Sequence, residues 1–235
     1  MVEKASSKRA FSFENLSSMT LEPVWRNLYT IQQSQNLFDD LVSPGKEHIL
    51  FSLDNATSLI DHTPPGRERV FQYGDVNETI ACFDPKYFAV SRFTPGDFGV
   101  FYGALEEKTS IAEIMSMHLR RFETNMNLAA EPVIIDRKMY VCSLAGRRCA
   151  DLRPMIERYP ELVSKTYEFC HEVGKAAKRN ILDFLVTKSV RRPEGNCIAA
   201  FNVECIKGEK FRYFFQLVYA KDRLPEANRI TKIDL

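Results

Sequence analysis

This 235-residue chain lacks any apolar run of the ~18 residues that a membrane-spanning helix requires, so no membrane span is expected. It also lacks an excess of either charge. Lys and Arg number 32 against 31 Asp and Glu, a net charge of +1. The basic residues fall in pairs, at Arg120-Arg121, Arg147-Arg148 and Arg191-Arg192, and form no stripe, which argues against direct nucleic-acid binding. The six cysteines make no CxxC pair and no zinc-ligand spacing. Most sit in apolar segments, as expected for buried free thiols in a reducing cytoplasm. The first residues are Ser-rich and weakly basic without an apolar core, unlike a secretory signal.

Common catalytic signatures are missing too. There is no GxxxxGK[ST], HExxH or GxSxG, and Gly96, Gly99 and Gly103 have the wrong spacing for a Rossmann dinucleotide site. Four histidines are scattered, with no Ser or Cys context for a triad. His118 and His171 lie in helical stretches beside apolar residues and read as core or half-buried side chains. Cys170 and His171 are neighbours on a helix and point about 100° apart, so they form no dyad.

What is present is an ordinary globular composition, 45% hydrophobic and 27% charged, sufficient for one large or two small domains. Residues 1–19 read as a polar, poorly ordered tail. Residues 23–42 carry Val24, Trp25, Leu28, Ile31, Phe38 and Leu41 at helical spacing and predict an amphipathic helix. An N-terminal tail and helical extension over 1–60 would thus precede a domain over 61–235. Strands are expected at 69–73, 79–83, 98–105, 132–144, 180–186, 196–203 and 211–219, with helices near 110–124 and over 162–179. Lys207-Gly208-Glu209 is expected to turn a hairpin between the last two strands. This order predicts an α+β fold without regular βαβ alternation.

One stretch, residues 91–122, concentrates the chemistry. It delivers Arg92 on an extended segment, Tyr102 inside a short apolar strand, and Glu113 at the start of a helix. A planar cation, a ring and a carboxylate together suit a phosphate, a base or ribose, and a sugar hydroxyl. Each also has an ordinary explanation. Arg92 could be a surface ion-pair partner and Tyr102 a core residue. Ser110-x-x-Glu113 fits a capping box, with Ser110 as N-cap. A second polar stretch, residues 186–196, places Ser189, Arg191 and Asn196 in a turn after an apolar strand, where phosphate or ribose could bind. A surface hairpin explains it equally well.

The two stretches together resemble the RES-domain family, toxins of bacterial toxin–antitoxin pairs. The resemblance rests on Arg92-Phe93, Phe101-Tyr102, Ala112-Glu113 and Lys188-Ser189-Val190-Arg191 in this order and spacing, and covers residues 64–219. Two positions differ from the family pattern: the Arg of the first strand is replaced by Gln72, with Arg69 nearby, and the Pro before the motif Ser is Lys188. The resemblance implies an ADP-ribosyltransferase-like fold, a mixed sheet split around a nicotinamide cleft. It implies NAD as a consumed substrate, with no resident cofactor or metal and with inorganic phosphate as a candidate co-substrate. Cleavage would proceed by phosphorolysis or hydrolysis. ADP-ribosyl transfer to a protein and a non-catalytic binding domain are the alternatives. Arg92, Tyr102 and Glu113 would be catalytic, and Ser189, Arg69, Arg191 and Asn196 would bind substrate. The implied partner is an Xre-type helix-turn-helix antitoxin, and a homodimer is a further expectation.

Overall fold

A computed structural model describes residues 11–13, 15–29, 80–125, 133–220 and 224–230. All belong to the compact unit formed by Met1–Tyr29 and Asn77–Leu235. The expected strand at 69–73 and Arg69 lie outside the described residues.

Strand β1 (Ser17–Tyr29) occupies part of the segment expected to be helical. Val24, Trp25 and Leu28 satisfy a helical period but tolerate a strand equally well. The competing partner is β3 (Val133–Asp151), a 19-residue strand whose antiparallel ladder with β1 runs from Cys149 to Arg137. Its main-chain hydrogen bonds outweigh the local spacing. Pro23, which has no N–H to give a ladder, sits where the β1 register shifts between Leu21 and Val24. The tail is also anchored: Phe11 is buried and meets Tyr159 and Phe169 edge-on.

The remaining elements are β2 (Phe101–Ala104), helix α1 (Glu107–Asn125), helix α2 (Glu168–Arg179), β4 (Phe184–Lys188), β5 (Asn196–Ala200), β6 (Ile206–Tyr219) and β7 (Glu226–Ile230). The strands form one mixed sheet in the order β1-β2-β5-β4-β3-β6-β7, and β1 pairs with β3 as well. Five strands thereby close into a ring. Its β1–β2 joint is a single pair, Trp25 with Ala104. This is the α+β architecture expected, with the split lying at that joint.

Several local expectations are corrected. Ala81–Phe83 is a 3-10 turn instead of a strand, and α2 begins at Glu168, preceded by the 3-10 turn Pro160–Val163. Lys207, Gly208 and Glu209 lie inside β6, and β5 and β6 are separated by β4 and β3. Gly208 instead takes φ +65° where Val141 faces Lys210 and Ser143 faces Lys207. The extra residue on β6 makes this a bulge that a left-handed glycine accommodates. β7 was not foreseen; its residues are all exposed, so no buried face patterned them.

The core has three parts. All five ring strands contribute to one, through Val24, Phe101, Leu144, Phe184, Val186 and Ile198. α2 packs Cys170, Val173 and Ala177 with Leu185 and Ala199 in a second. α1 lays Ile111, Ile114, Met115 and Leu119 on Met139, Phe215, Leu217 and Tyr219 in the third. Each large apolar side chain so buried contributes about 1.5–3 kcal/mol against exposure.

Candidate active site

The sparse β1–β2 joint is where a cavity of about 420 Å³ opens. Arg26 and Asn27 of β1 and Gly103 and Ala104 of β2 lie on its wall, with Arg92, Tyr102 and Glu113.

Glu113 reaches it from α1. This helix starts at Glu107, so Glu113 sits in the second turn and cannot close a capping box with Ser110. The helix is instead opened by Glu106, whose carbonyl accepts the amides of Thr109 and Ser110, both at 3.1 Å. Ser110 is turned to β1, where Asn27 Nδ2 donates to its Oγ at 2.8 Å. Glu113 is thus free for another task, and Ser189 Oγ donates to its Oε1 at 2.5 Å. The Cys197 thiol approaches the same oxygen at 3.7 Å. Burial and the Glu113 charge push that thiol well above its ordinary pKa, so it stays protonated. Oε2 has no hydrogen-bond partner among the described residues.

Ser189 is fixed in turn. It follows β4, is 3% exposed, and its Oγ accepts the amides of Arg191 at 3.1 Å and Arg192 at 2.9 Å. The loop closes on α1 because Glu106 accepts the Asn196 amide at 2.9 Å, Asn196 Nδ2 at 2.8 Å and Thr109 Oγ1 at 2.8 Å. Burial alone would raise the Glu106 carboxyl, but these hydrogen bonds hold it below the ordinary carboxylate range. Arg192 Nη1 adds a bond to Thr109 Oγ1 at 3.0 Å. A Cβ on Gly195 would come within 2.2 Å of that oxygen, so the close approach requires glycine.

Arg92 rides on a short loop held from two sides. The Tyr102 hydroxyl accepts the Phe93 amide at 2.9 Å and shares a hydrogen bond with Ser91 Oγ at 2.8 Å. Burial raises this phenol above its ordinary pKa, so it keeps its proton. From α2, His171 Nε2 donates to Ser91 O at 2.9 Å. Gly174 lets α2 touch the loop, since a Cβ there would lie 1.7 Å from Phe93 O. The Arg92 guanidinium donates to Ser164 O at 2.9 Å and lies over the Tyr167 ring at 4.9 Å.

The structure therefore brings Arg92, Tyr102 and Glu113 to one cavity and places Ser189 directly behind Glu113. Arg191 contributes its amide to Ser189, and its Nη2 is buried without a hydrogen-bond partner among the described residues. Asn196 does not line the cavity and is engaged with Glu106.

Sequence reasoning missed the two arginines deepest in the site. Arg26 donates to Tyr102 O at 2.8 Å and stacks on Phe101, 4.4 Å from its centroid. Burial lowers its pKa from the ordinary arginine value, and no carboxylate touches it among the described residues. Arg137 of β3 is 3% exposed, lines the cavity and donates to Asn27 Oδ1 at 2.5 Å. Arg26 lies on β1, within a segment whose apolar spacing is helical. The signal was hidden because residues 23–42 read as a helix. Among the described residues no group of three His, Cys, Asp or Glu side chains could hold a metal ion, and no helix is long and apolar enough to cross a membrane.

The RES domain family model matches residues 69–216. No curated protein matches the chain. A chain from the crystal structure of the M. tuberculosis MbcT-MbcA toxin-antitoxin complex is similar in fold, with 10% sequence identity and a TM-score of 0.46, covering 84% of this chain and 86% of that one.

Proposed function

The chain belongs to the RES-domain family, and from that premise we propose that it degrades NAD by cleaving the nicotinamide–ribose bond. The observation that carries this is Glu113, held by Ser189, at the wall of a cavity that Arg26, Arg92 and Arg137 also line. Breaking the C1′–N bond leaves its electron pair on nicotinamide and positive charge on the ribose. A fixed carboxylate facing that charge stabilises the transition state, as in glycoside hydrolysis. With Oε1 held by Ser189, Glu113 offers Oε2 to a ribose hydroxyl. Arg26, Arg92 and Arg137 are suited to the pyrophosphate, since guanidinium groups match phosphate oxygens in pairs. The new C1′–O bond forms to water, which loses a proton, or to inorganic phosphate, giving ADP-ribose 1′-phosphate. Transfer to a protein side chain is the third outcome the same cleft chemistry allows.

In a toxin–antitoxin setting, a helix-turn-helix antitoxin would cover or distort this cleft, and a cytoplasmic location suits six free thiols. Homodimerisation belongs to the same proposal. The test is incubation of purified protein with NAD, with and without phosphate, following nicotinamide and the ribose product. Nicotinamide release that disappears in Glu113→Gln supports the reading, and the product identifies the acceptor. Folded protein that releases no nicotinamide under any condition sinks it.

A further inference from the structure

Five serines and threonines are buried among the described residues: Thr94, Thr109, Ser110, Thr187 and Ser189. The hydroxyls of four are engaged. Thr94 Oγ1 donates to Phe98 O at 2.9 Å, Thr109 Oγ1 to Glu106 at 2.8 Å and Ser189 Oγ to Glu113 at 2.5 Å. Ser110 Oγ accepts from Asn27 at 2.8 Å. Thr187 is the exception. It is 2% exposed and lines the cavity, yet its Oγ1 is buried with no hydrogen-bond partner among the described residues. A buried hydroxyl left unpaired destabilises the fold and is uncommon. A valine side chain would occupy the same space without that cost, so packing alone gives no reason for a hydroxyl at this position.

The pairing of β4 with β5 sets this side chain beside the carboxylate. Thr187 stands opposite Cys197 in the antiparallel ladder, so the two share a face, with Cβ atoms about 4.5–5.5 Å apart. That face looks toward Glu113, because the Cys197 thiol approaches Glu113 Oε1 at 3.7 Å. Lys188, the next residue, is paired with Asn196 on the opposite face. A neutral group that both donates and accepts therefore lies one strand step from the Glu113–Ser189 pair. It matches an uncharged polar group of a ligand, whereas phosphate oxygens gain more from charged donors.

We infer that Thr187 is a substrate-binding residue of this cavity, its hydroxyl taking an uncharged hydrogen-bonding group from the part of the ligand that Glu113 faces. The inference rests on the dinucleotide reading of the same site. Two groups there have the required chemistry: a hydroxyl of the ribose that carries nicotinamide, and the carboxamide of nicotinamide itself. Cleavage of the bond between them leaves each group on a separate product.

Calorimetric titration of the full chain with ADP-ribose and with nicotinamide uses those products as probes. At least one should bind about tenfold more weakly to Thr187→Val than to wild type, the loss expected for one buried hydrogen bond. The ligand that weakens identifies the group. Thr187→Ser, which keeps the hydroxyl, should stay within about threefold of wild type for the same ligand. Without ligand, Thr187→Val should melt at or above the wild-type Tm, because an unpaired buried hydroxyl has been removed. Unchanged binding of both products to Thr187→Val overturns the inference and leaves the dinucleotide reading standing. A Tm several degrees below wild type in ligand-free Thr187→Val also overturns it, since the hydroxyl would then be holding the fold. Folded wild-type protein that binds neither product nor NAD sinks the dinucleotide reading, and the inference with it.

Discussion

Ser189 and Glu113, 76 residues apart in sequence, meet through a 2.5 Å hydrogen bond in which the serine hydroxyl donates to Oε1. The serine oxygen accepts two backbone amides, so its hydroxyl proton is directed at the carboxylate and the free Oε2 is aimed by default. The pair links the second turn of α1 to the loop after β4, and each side chain sets the other's rotamer.

Replacing Glu113 by Gln tests what that carboxylate does. Gln keeps an oxygen that accepts from Ser189 but loses the charge on it, so stability should fall by only about 1 kcal/mol. Nicotinamide release should fall by a factor on the order of 10²–10³, the usual loss when a group stabilising transition-state charge is removed. Thermal unfolding and a nicotinamide assay on the same preparation decide it; retained activity would return Glu113 to a structural role.

Ser189→Ala leaves the amides of Arg191 and Arg192 without their acceptor as well as freeing Glu113. A stability loss of about 1–3 kcal/mol should accompany reduced turnover. Ser189→Thr, which keeps the hydroxyl, should recover part of both in urea unfolding and rate measurements.

Gly174→Ala should act at a distance of one packing layer. Its methyl would collide with Phe93 O, so α2 or the Arg92 loop must shift. The expected cost is about 1–3 kcal/mol, with a rise in KM because Arg92 moves. Unchanged kinetics would show that the loop absorbs the strain elsewhere.

Ile181 has φ 51° just after α2, and its side chain is 74% exposed. A β-branched residue in the left-handed region is strained, and little packing holds it there. Ile181→Gly should stabilise the protein by about 1 kcal/mol, raising Tm by roughly 2–4 °C with no change in nicotinamide release. Calorimetry gives the sign directly.

Acid stability should track Asp183. Burial opposes its ionisation, but Asn202 Nδ2 and the amides of Arg148 and Arg147 hold its pKa below 3.8. The folded carboxyl binds its proton less readily than the unfolded one. Its contribution is therefore complete at neutral pH and is lost as pH falls from about 3.8 through the folded value. Asp183→Asn should shallow the pH dependence of the urea midpoint below pH 5; an unaltered slope would assign acid sensitivity to other carboxylates.

Much of this protein was legible without coordinates. The α+β order, the helical segment that became α2, and the strands around Phe101, Phe184 and Asn196 follow from apolar periodicity and turn residues, which are local. Arg92, Tyr102, Glu113 and Ser189 stand out because two short stretches carry them at recognisable spacing. Contacts between distant segments decided the rest. Val24, Trp25 and Leu28 fit a helix until the β3 ladder claims them, and with that strand comes Arg26, which spacing alone would have placed on a helix. Ser110 and Glu113 satisfy a capping box on paper, but Glu106 starts the helix because Asn196, 90 residues away, grips its carboxylate. Gly208 marks a turn by composition and a bulge in fact, since only the pairing of β6 with β3 determines where an extra residue must go. Periodicity records which face of an element is buried; which element buries it, and which side chains meet there, is settled only by tertiary packing.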